Sequence, residues 1–206
     1  MKKIKEKIRK FLYGESYGPE DPRHKGNWNE LFNIPKSQLL KYIVAHREEG
    51  LKLISELGTK IDEFKDKISE MEERKLFFDF KEKIQNNINQ NKFSIIAEMK
   101  HKSPSAGIII PGNKYDPVNI AKIYNNNNAT CLSVLTEPKF FGGDVYHMKL
   151  IKESGIQLPI LCKDFMVSIW QLYCSRFMGA DAILIILAAY EENDEFVNQL
   201  YVEAIK

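Results

Sequence analysis

The sequence predicts an α/β protein built on a parallel sheet, and two observations carry that prediction. Four short apolar runs, Phe93–Met99, Cys131–Leu135, Leu158–Leu161 and Ala182–Leu187, each have the length of a buried strand. Helix-like stretches separate and follow them: Val118–Tyr124, Val145–Glu153, Ile169–Phe177 and Asp194–Ala204. Strand alternating with helix gives βα units, and successive βα units run their strands parallel. The near-continuous apolar character of the runs agrees, because helices cover such sheets.

Composition narrows the class further. The chain has 206 residues, 44% hydrophobic and 28% charged, with 30 Lys and Arg against 28 Asp and Glu. That is chain enough for a sizeable core and too apolar for wholesale disorder. The near-balance of charge, without a cluster of basic and aromatic residues, argues against a nucleic-acid partner. The longest apolar stretch, Ala182–Tyr190, is about half of the roughly 20 residues a membrane helix needs, so no membrane partner is expected. Cys131, Cys162 and Cys174 are odd in number and lack ligand spacing, which fits a reducing compartment and no structural zinc.

Three segments follow from the pattern of breakers and apolar positions. Residues 1–38 begin with the basic stretch MKKIKEKIRK and continue through Gly14, Gly18, Pro19, Pro22, Gly26 and Pro35, an extended arm that Trp28, Leu31 and Phe32 would pin to an apolar surface. Residues 39–92 form a helical region. Leu39, Leu40, Ile43 and Val44, then Leu51, Ile54 and Leu57, then Ile61, Phe64 and Ile68 recur at helical spacing, with a break at Gly58. Phe77, Phe78, Phe80 and Ile84 mark a further short helix, and the polar tracts Gln85–Asn91 and Asn125–Asn128 read as linkers. Residues 93–206 hold the βα units.

The chemistry-bearing residues gather at strand ends. Side chains alternate along a strand, so Ile96, Glu98 and Lys100 share one side and place an acid and a base together at the carboxyl end of the first strand. In parallel α/β folds that end carries the site. Ser103-Pro104-Ser105 follows as a loop with hydroxyl and backbone donors. Lys163 falls just past the third apolar run, where a lysine is expensive to desolvate and is therefore paired or functional. The structural alternatives are an ion pair closing the first strand and a pair between Lys163 and Asp164. Leu161, Lys163 and Phe165 share one parity, as do Ser133 and Leu135, and Leu184 and Ile186. The inward surface is then apolar, with Glu98 and two lysines at its mouth, and suits an aromatic substrate carrying negative charge. Neither GxGxxG, nor a P-loop lysine, nor a nucleophile elbow occurs, and His24, His46, His101 and His147 show no mutual ligand spacing. No cofactor and no metal are expected.

At this point the residues resemble a known family. IAEMKHKSPSAG (residues 96–107), LSVLTEPKFFGG (132–143), LPILCKDF (158–165) and GADAILIILAAY (179–190) are similar, in order, to the first four strand signatures of indole-3-glycerol phosphate synthase. KYIVAHREE (41–49) resembles that family's N-terminal helical extension, and Asp116-Pro117-Val118 also fits. The resemblance implies a (β/α)8 TIM barrel of which this chain covers the helical extension and about four βα units. It implies a carbon-carbon lyase of tryptophan biosynthesis that closes the ring of 1-(2-carboxyphenylamino)-1-deoxyribulose 5-phosphate with loss of carbon dioxide and water. Residue by residue, it makes Lys163 the general acid, Lys100 the second catalytic lysine and Glu98 the carboxylate that orients them. Ser103 becomes a polar substrate contact. Pro104, Leu135, Phe141, Phe165, Leu184 and Ile186 line the pocket for the aromatic ring. Cys162 and Ala106 depart from common family residues, and neither removes a catalytic group.

The residues from Phe93 onward hold four strands, whereas such a barrel takes on the order of 200 residues or more. The family's glutamate base and phosphate site are therefore expected beyond Lys206, and the chain by itself is expected to be inactive. A truncated gene model, a half that assembles with another half, and a degenerate non-catalytic remnant would each produce this pattern. The alternatives in function are a non-catalytic half-barrel binding or assembly module and another phosphate-binding barrel enzyme. Further tryptophan-pathway domains often accompany this family in one polypeptide. The expected compartment is the cytoplasm, with a plastid left open by the basic start.

Overall fold

In the computed structural model, residues 34–57, 60–190 and 193–206 are described. The basic start, Trp28, Leu31, Phe32 and the break expected at Gly58 lie outside them. Helix α1 spans Lys36–Leu57. It begins inside the segment expected to be an arm, because the Pro35 carbonyl already accepts the Gln38 and Leu39 N–H groups at 2.8 and 3.1 Å. Ile43, Val44 and Leu51 form its buried stripe. Helix α2, Ile61–Glu73, carries Asp62 and Glu63 in its first turn, where the helix dipole favours acids, and buries Phe64 and Ile68.

Helix α3 spans Phe80–Asn89 and is capped by Asp79, whose carboxylate accepts the Glu82 N–H at 2.7 Å. The expectation of a linker from Gln85 is thus corrected. Gln85 to Asn89 are helical, with Gln85 Nε2 donating to Asn89 Oδ1 at 3.0 Å. The polar tract reported exposure, since α3 buries no residue, and not the loss of helix. The tract Asn125–Asn128 is corrected in part. Asn125 and Asn126 close helix α4, Pro117–Asn126, while Asn127 caps it and Asn128 turns the chain at φ 62°. Phe77 and Phe78 precede α3 instead of belonging to it.

The sheet has four parallel strands. They are β1 (Ile96–Met99), β4 (Cys131–Leu135), β5 (Ile160–Lys163) and β6 (Ala182–Ile183), in that order across the sheet. A short antiparallel hairpin, β2 (Lys102–Ser103) with β3 (Gly107–Ile108), branches off after β1. The remaining helices are α5 (Pro138–Phe141), α6 (Tyr146–Glu153), α7 (Ile169–Phe177) and α8 (Asp194–Ala204). The expected helices recur within a few residues. The strand expected at Cys131–Leu135 is β4 as it stands, while the other three are trimmed or shifted. Phe93 and Ile95 stay exposed before β1, β5 runs on to Lys163, and β6 stops at Ile183 instead of Leu187. The last difference has a simple cause. Among the described residues β6 pairs with β5 alone, and the register sets Leu184 opposite Lys163, the last residue of β5, so Ile185 to Leu187 have no strand to pair with. The hairpin and α5 had no signal in apolar periodicity.

One face of the sheet is the core. Ala97, Met99, Leu132, Val134, Ile160 and Cys162 pack there with Ala121 of α4, Met148 and Ile151 of α6, Leu172 and Phe177 of α7, and Phe64 of α2. The alternate residues of β1, Ile96 and Glu98, are exposed or half-buried on the other face. The two faces of the sheet therefore differ as the alternation requires.

Candidate active site

The inward face is read from the strand register. Glu98 aligns with Ser133, and Ser133 with Leu161. One pleat further, Leu135 aligns with Lys163. Leu161 aligns with Ala182, so Leu184 and Ile186 continue that parity beyond β6. Glu98, Ser133, Leu135, Leu161 and Lys163 thus lie on one side of the sheet, and Leu184 and Ile186 follow the end of β6.

Glu98 is the hinge of the site. One carboxylate oxygen accepts from the Lys100 ammonium and the other from Lys163, reaching across the intervening strand β4. Strands stand ~4.8 Å apart, and the small Ser133 beside Glu98 leaves the path open. All three side chains remain about one-third exposed at the carboxyl end of the sheet. Partial burial disfavours the Glu98 charge, but the hydrogen bonds and charges of Lys100 and Lys163 outweigh it and hold the carboxyl below its ordinary value. Two ammonium groups against one carboxylate leave the trio net positive, suited to an anionic ligand. Of the two structural alternatives, the ion pair at the end of the first strand is present. The pair between Lys163 and Asp164 is not, because Asp164 is taken by Arg47.

The other expected residues divide. Phe141 and Phe165 face each other with ring centroids 6.3 Å apart, tilted by 42°. Leu184 and Ile186 are half-buried past β6, Leu135 is buried and Pro104 half-buried. Ser103 is buried, and its hydroxyl accepts the Ala106 N–H at 3.1 Å within the hairpin turn. The hairpin is anchored by Lys102, almost wholly buried, whose ammonium donates to the Lys139 carbonyl at 2.8 Å. Burial lowers the Lys102 pKa, with Glu137 opposing the shift. Glu137 caps α5, accepting the N–H groups of Lys139, Phe140 and Phe141 at 3.0, 2.6 and 3.1 Å.

Sequence reasoning missed the support behind Lys163. Asp164 Oδ1 accepts from Arg47 Nε at 3.1 Å and from the Phe165 N–H at 2.8 Å. Its Oδ2 accepts from Arg47 Nη2 and from Thr136 Oγ1, both at 2.7 Å. A signal existed: Ile43, Arg47 and Leu51 follow one another at four-residue steps, so Arg47 interrupts the buried stripe of α1. Tyr42 and His46, on the same helix, rest edge-on against Phe140 with centroids 5.9 and 5.7 Å away. Helix α1 is thereby fastened over the carboxyl end of β4 and β5.

Among the described residues, no group of three or more His, Cys, Asp or Glu is placed to hold a metal ion, and no helix is long and apolar enough to cross a membrane.

The family model for indole-3-glycerol phosphate synthase matches residues 40–206. An indole-3-glycerol phosphate synthase of Trichodesmium erythraeum is 36% identical over 187 residues, covering 84% of this chain and 58% of that protein. One of Prochlorococcus marinus (strain AS9601) is 39% identical over 171 residues, covering 75% of this chain and 55% of the relative. The chloroplastic indole-3-glycerol phosphate synthase of Arabidopsis thaliana is 47% identical over 94 residues, covering 46% of this chain and 23% of the relative. The chain spans less than two thirds of each relative's length.

Proposed function

Because the chain belongs to the indole-3-glycerol phosphate synthase family, whose fold is a (β/α)8 barrel, we propose that it serves that family's reaction, a carboxy-lyase step of tryptophan biosynthesis. The substrate is 1-(2-carboxyphenylamino)-1-deoxyribulose 5-phosphate, and the products are indole-3-glycerol phosphate, carbon dioxide and water. The observation that supports this reading is Glu98 with one lysine on each oxygen, at the carboxyl end of a parallel sheet.

The chemistry follows from that trio. The ring carbon bearing the carboxylate attacks the ketone carbon of the sugar chain. As that bond forms, the Lys163 ammonium delivers a proton to the carbonyl oxygen, which becomes a hydroxyl. Lys100 pairs with the substrate carboxylate until its carbon–carbon bond breaks and carbon dioxide leaves, returning the bonding electrons to the ring. The hydroxyl then takes a proton from the Lys100 ammonium and departs as water, while the neighbouring methylene gives its proton to the family's glutamate base and the indole double bond forms. Glu98 holds both lysines in place between these steps. Phe141, Phe165, Leu135, Pro104, Leu184 and Ile186 supply the apolar wall for the ring, and Ser103 a polar contact at the mouth.

The test is turnover by the native polypeptide that carries this chain, followed by the fluorescence of the indole product. Lys163→Ala is expected to lower kcat by about 100- to 10,000-fold, the range of a lost general acid. Near-normal turnover with an intact fold would overturn the assignment. The proposed compartment is the cytoplasm, with a plastid as the alternative; a fluorescent fusion in the source cells decides between them.

A further inference from the structure

We propose that Arg47 is a positioning residue for Lys163, acting through Asp164 and so making helix α1 part of the catalytic apparatus; the inference rests on the reading of Lys163 as the general acid. The pair joins residues 117 apart in sequence. Its two side chains are 11% and 2% exposed. A carboxylate so enclosed needs a counter-charge and a donor for each lone pair, and Asp164 has both: two guanidinium N–H groups, one hydroxyl and one backbone N–H.

The location gives the pair its consequence. The β4–β5 ladder ends at Lys163, whose carbonyl accepts the Thr136 N–H at 3.1 Å. The next fixed point along the chain is the Asp164 carboxylate, which also holds the Phe165 N–H. Lys163 therefore stands between two clamps, the ladder before it and the Asp164 network after it. Alternation sends the Lys163 side chain to the inward face and Asp164 to the opposite side, where Arg47 waits. The paired N–H groups of a guanidinium fix the carboxylate's rotation as well as its place, which a single ammonium cannot do. Releasing that carboxylate frees the Lys163–Phe165 turn and loosens the grip of Glu98 on Lys163. Thr136 belongs to the same network, so β4 shares in the positioning.

Competitive acetylation of lysines in the full 206-residue chain, read by mass spectrometry, tests the coupling. Arg47→Ala is expected to raise labelling of Lys163 severalfold and leave Lys152 unchanged, since Lys152 is paired with Asp181 at the far end of the sheet. Arg47→Lys, which keeps the charge and loses the fork, should shift Lys163 in the same direction by less, and serves if the alanine variant fails to fold. Asp164→Asn should reproduce the effect, and combining it with Arg47→Ala should add nothing. In the native polypeptide, Arg47→Ala should lower kcat by about 10- to 100-fold with KM little changed, the expected cost of a small misplacement. Unchanged Lys163 labelling in folded Arg47→Lys, or an equal rise at Lys152, would overturn the inference. Failure of the Lys163 assignment is read separately: Lys163→Ala would then keep its turnover whatever Arg47 does to labelling.

Discussion

Glu98 ties two lysines from neighbouring parts of the sheet, and its depressed pKa links the site to stability. A carboxyl whose folded pKa lies below its unfolded value stabilises the fold fully above the ordinary carboxylate range. That contribution is lost as pH falls through the folded value. The difference in Tm between wild type and Glu98→Gln should therefore be largest near neutrality and shrink as pH falls through the lowered carboxyl value. A difference that is independent of pH would contradict the pairing. His101 and His147, held below the ordinary imidazole value by burial, add their own loss below about pH 6.5. Both forms of the protein share that loss, so the comparison removes it. Gly142 is a second residue-scale constraint. It sits at φ 63°, and a Cβ there would stand 2.4 Å from His101 Cδ2 and 3.0 Å from Lys102 Cε. Gly142→Ala should cost about 1–3 kcal/mol, seen as a lower denaturation midpoint, because strain and the displaced hairpin add. The pairing of Glu98 with Lys100 was legible in the sequence from parity alone. The Arg47–Asp164 pair was not, because no local rule links residues on a helix and a strand end so far apart.

At the scale of elements, Asp181 does for the amino end of the sheet what Asp164 does for the carboxyl end. Its side chain, fully buried ahead of β6, accepts from Lys152 of α6 at 2.6 Å. It also accepts from the Phe78 N–H between α2 and α3, and from the Ile160 N–H at the start of β5, both at 2.8 Å. Lys152 and Arg176 in turn lie over the rings of Phe78 and Phe77, at 3.9 and 3.4 Å. One carboxylate thus joins a helix, a linker and two strands. Asp181→Ala leaves a buried ammonium and two N–H groups without their acceptor. It should cost about 3 kcal/mol or more and lower Tm by on the order of 10 °C in calorimetry. An effect under about 1 kcal/mol would mean the cluster relaxes easily. Helix α3 shows the opposite case. It has no buried residue, and local bonds such as the Asp79 cap sustain a tract whose composition suggested a linker.

Over the whole molecule, a four-stranded parallel sheet leaves β1 and β6 as edges among the described residues, and its inward face partly apolar. Phe93 is 96%, Ile96 44% and Leu187 70% exposed, and edges of this kind pair with other chains. The 206-residue polypeptide should therefore associate as its concentration rises, read by sedimentation velocity. A monomer throughout a wide concentration range would show that these edges are inert. By itself the sequence determined the βα alternation, the inward parity of Glu98, Ser133, Leu135, Leu161 and Lys163, and the family. Those depend on periods of two and 3.6 residues and on short ordered motifs, all of which are local. Only the tertiary structure decided that Glu98 reaches Lys163 across β4, that Arg47 closes on Asp164, and that β6 stops after two residues. These outcomes depend on which elements become neighbours and on where a ladder runs out of partners, and neither is written in the spacing of residues along the chain.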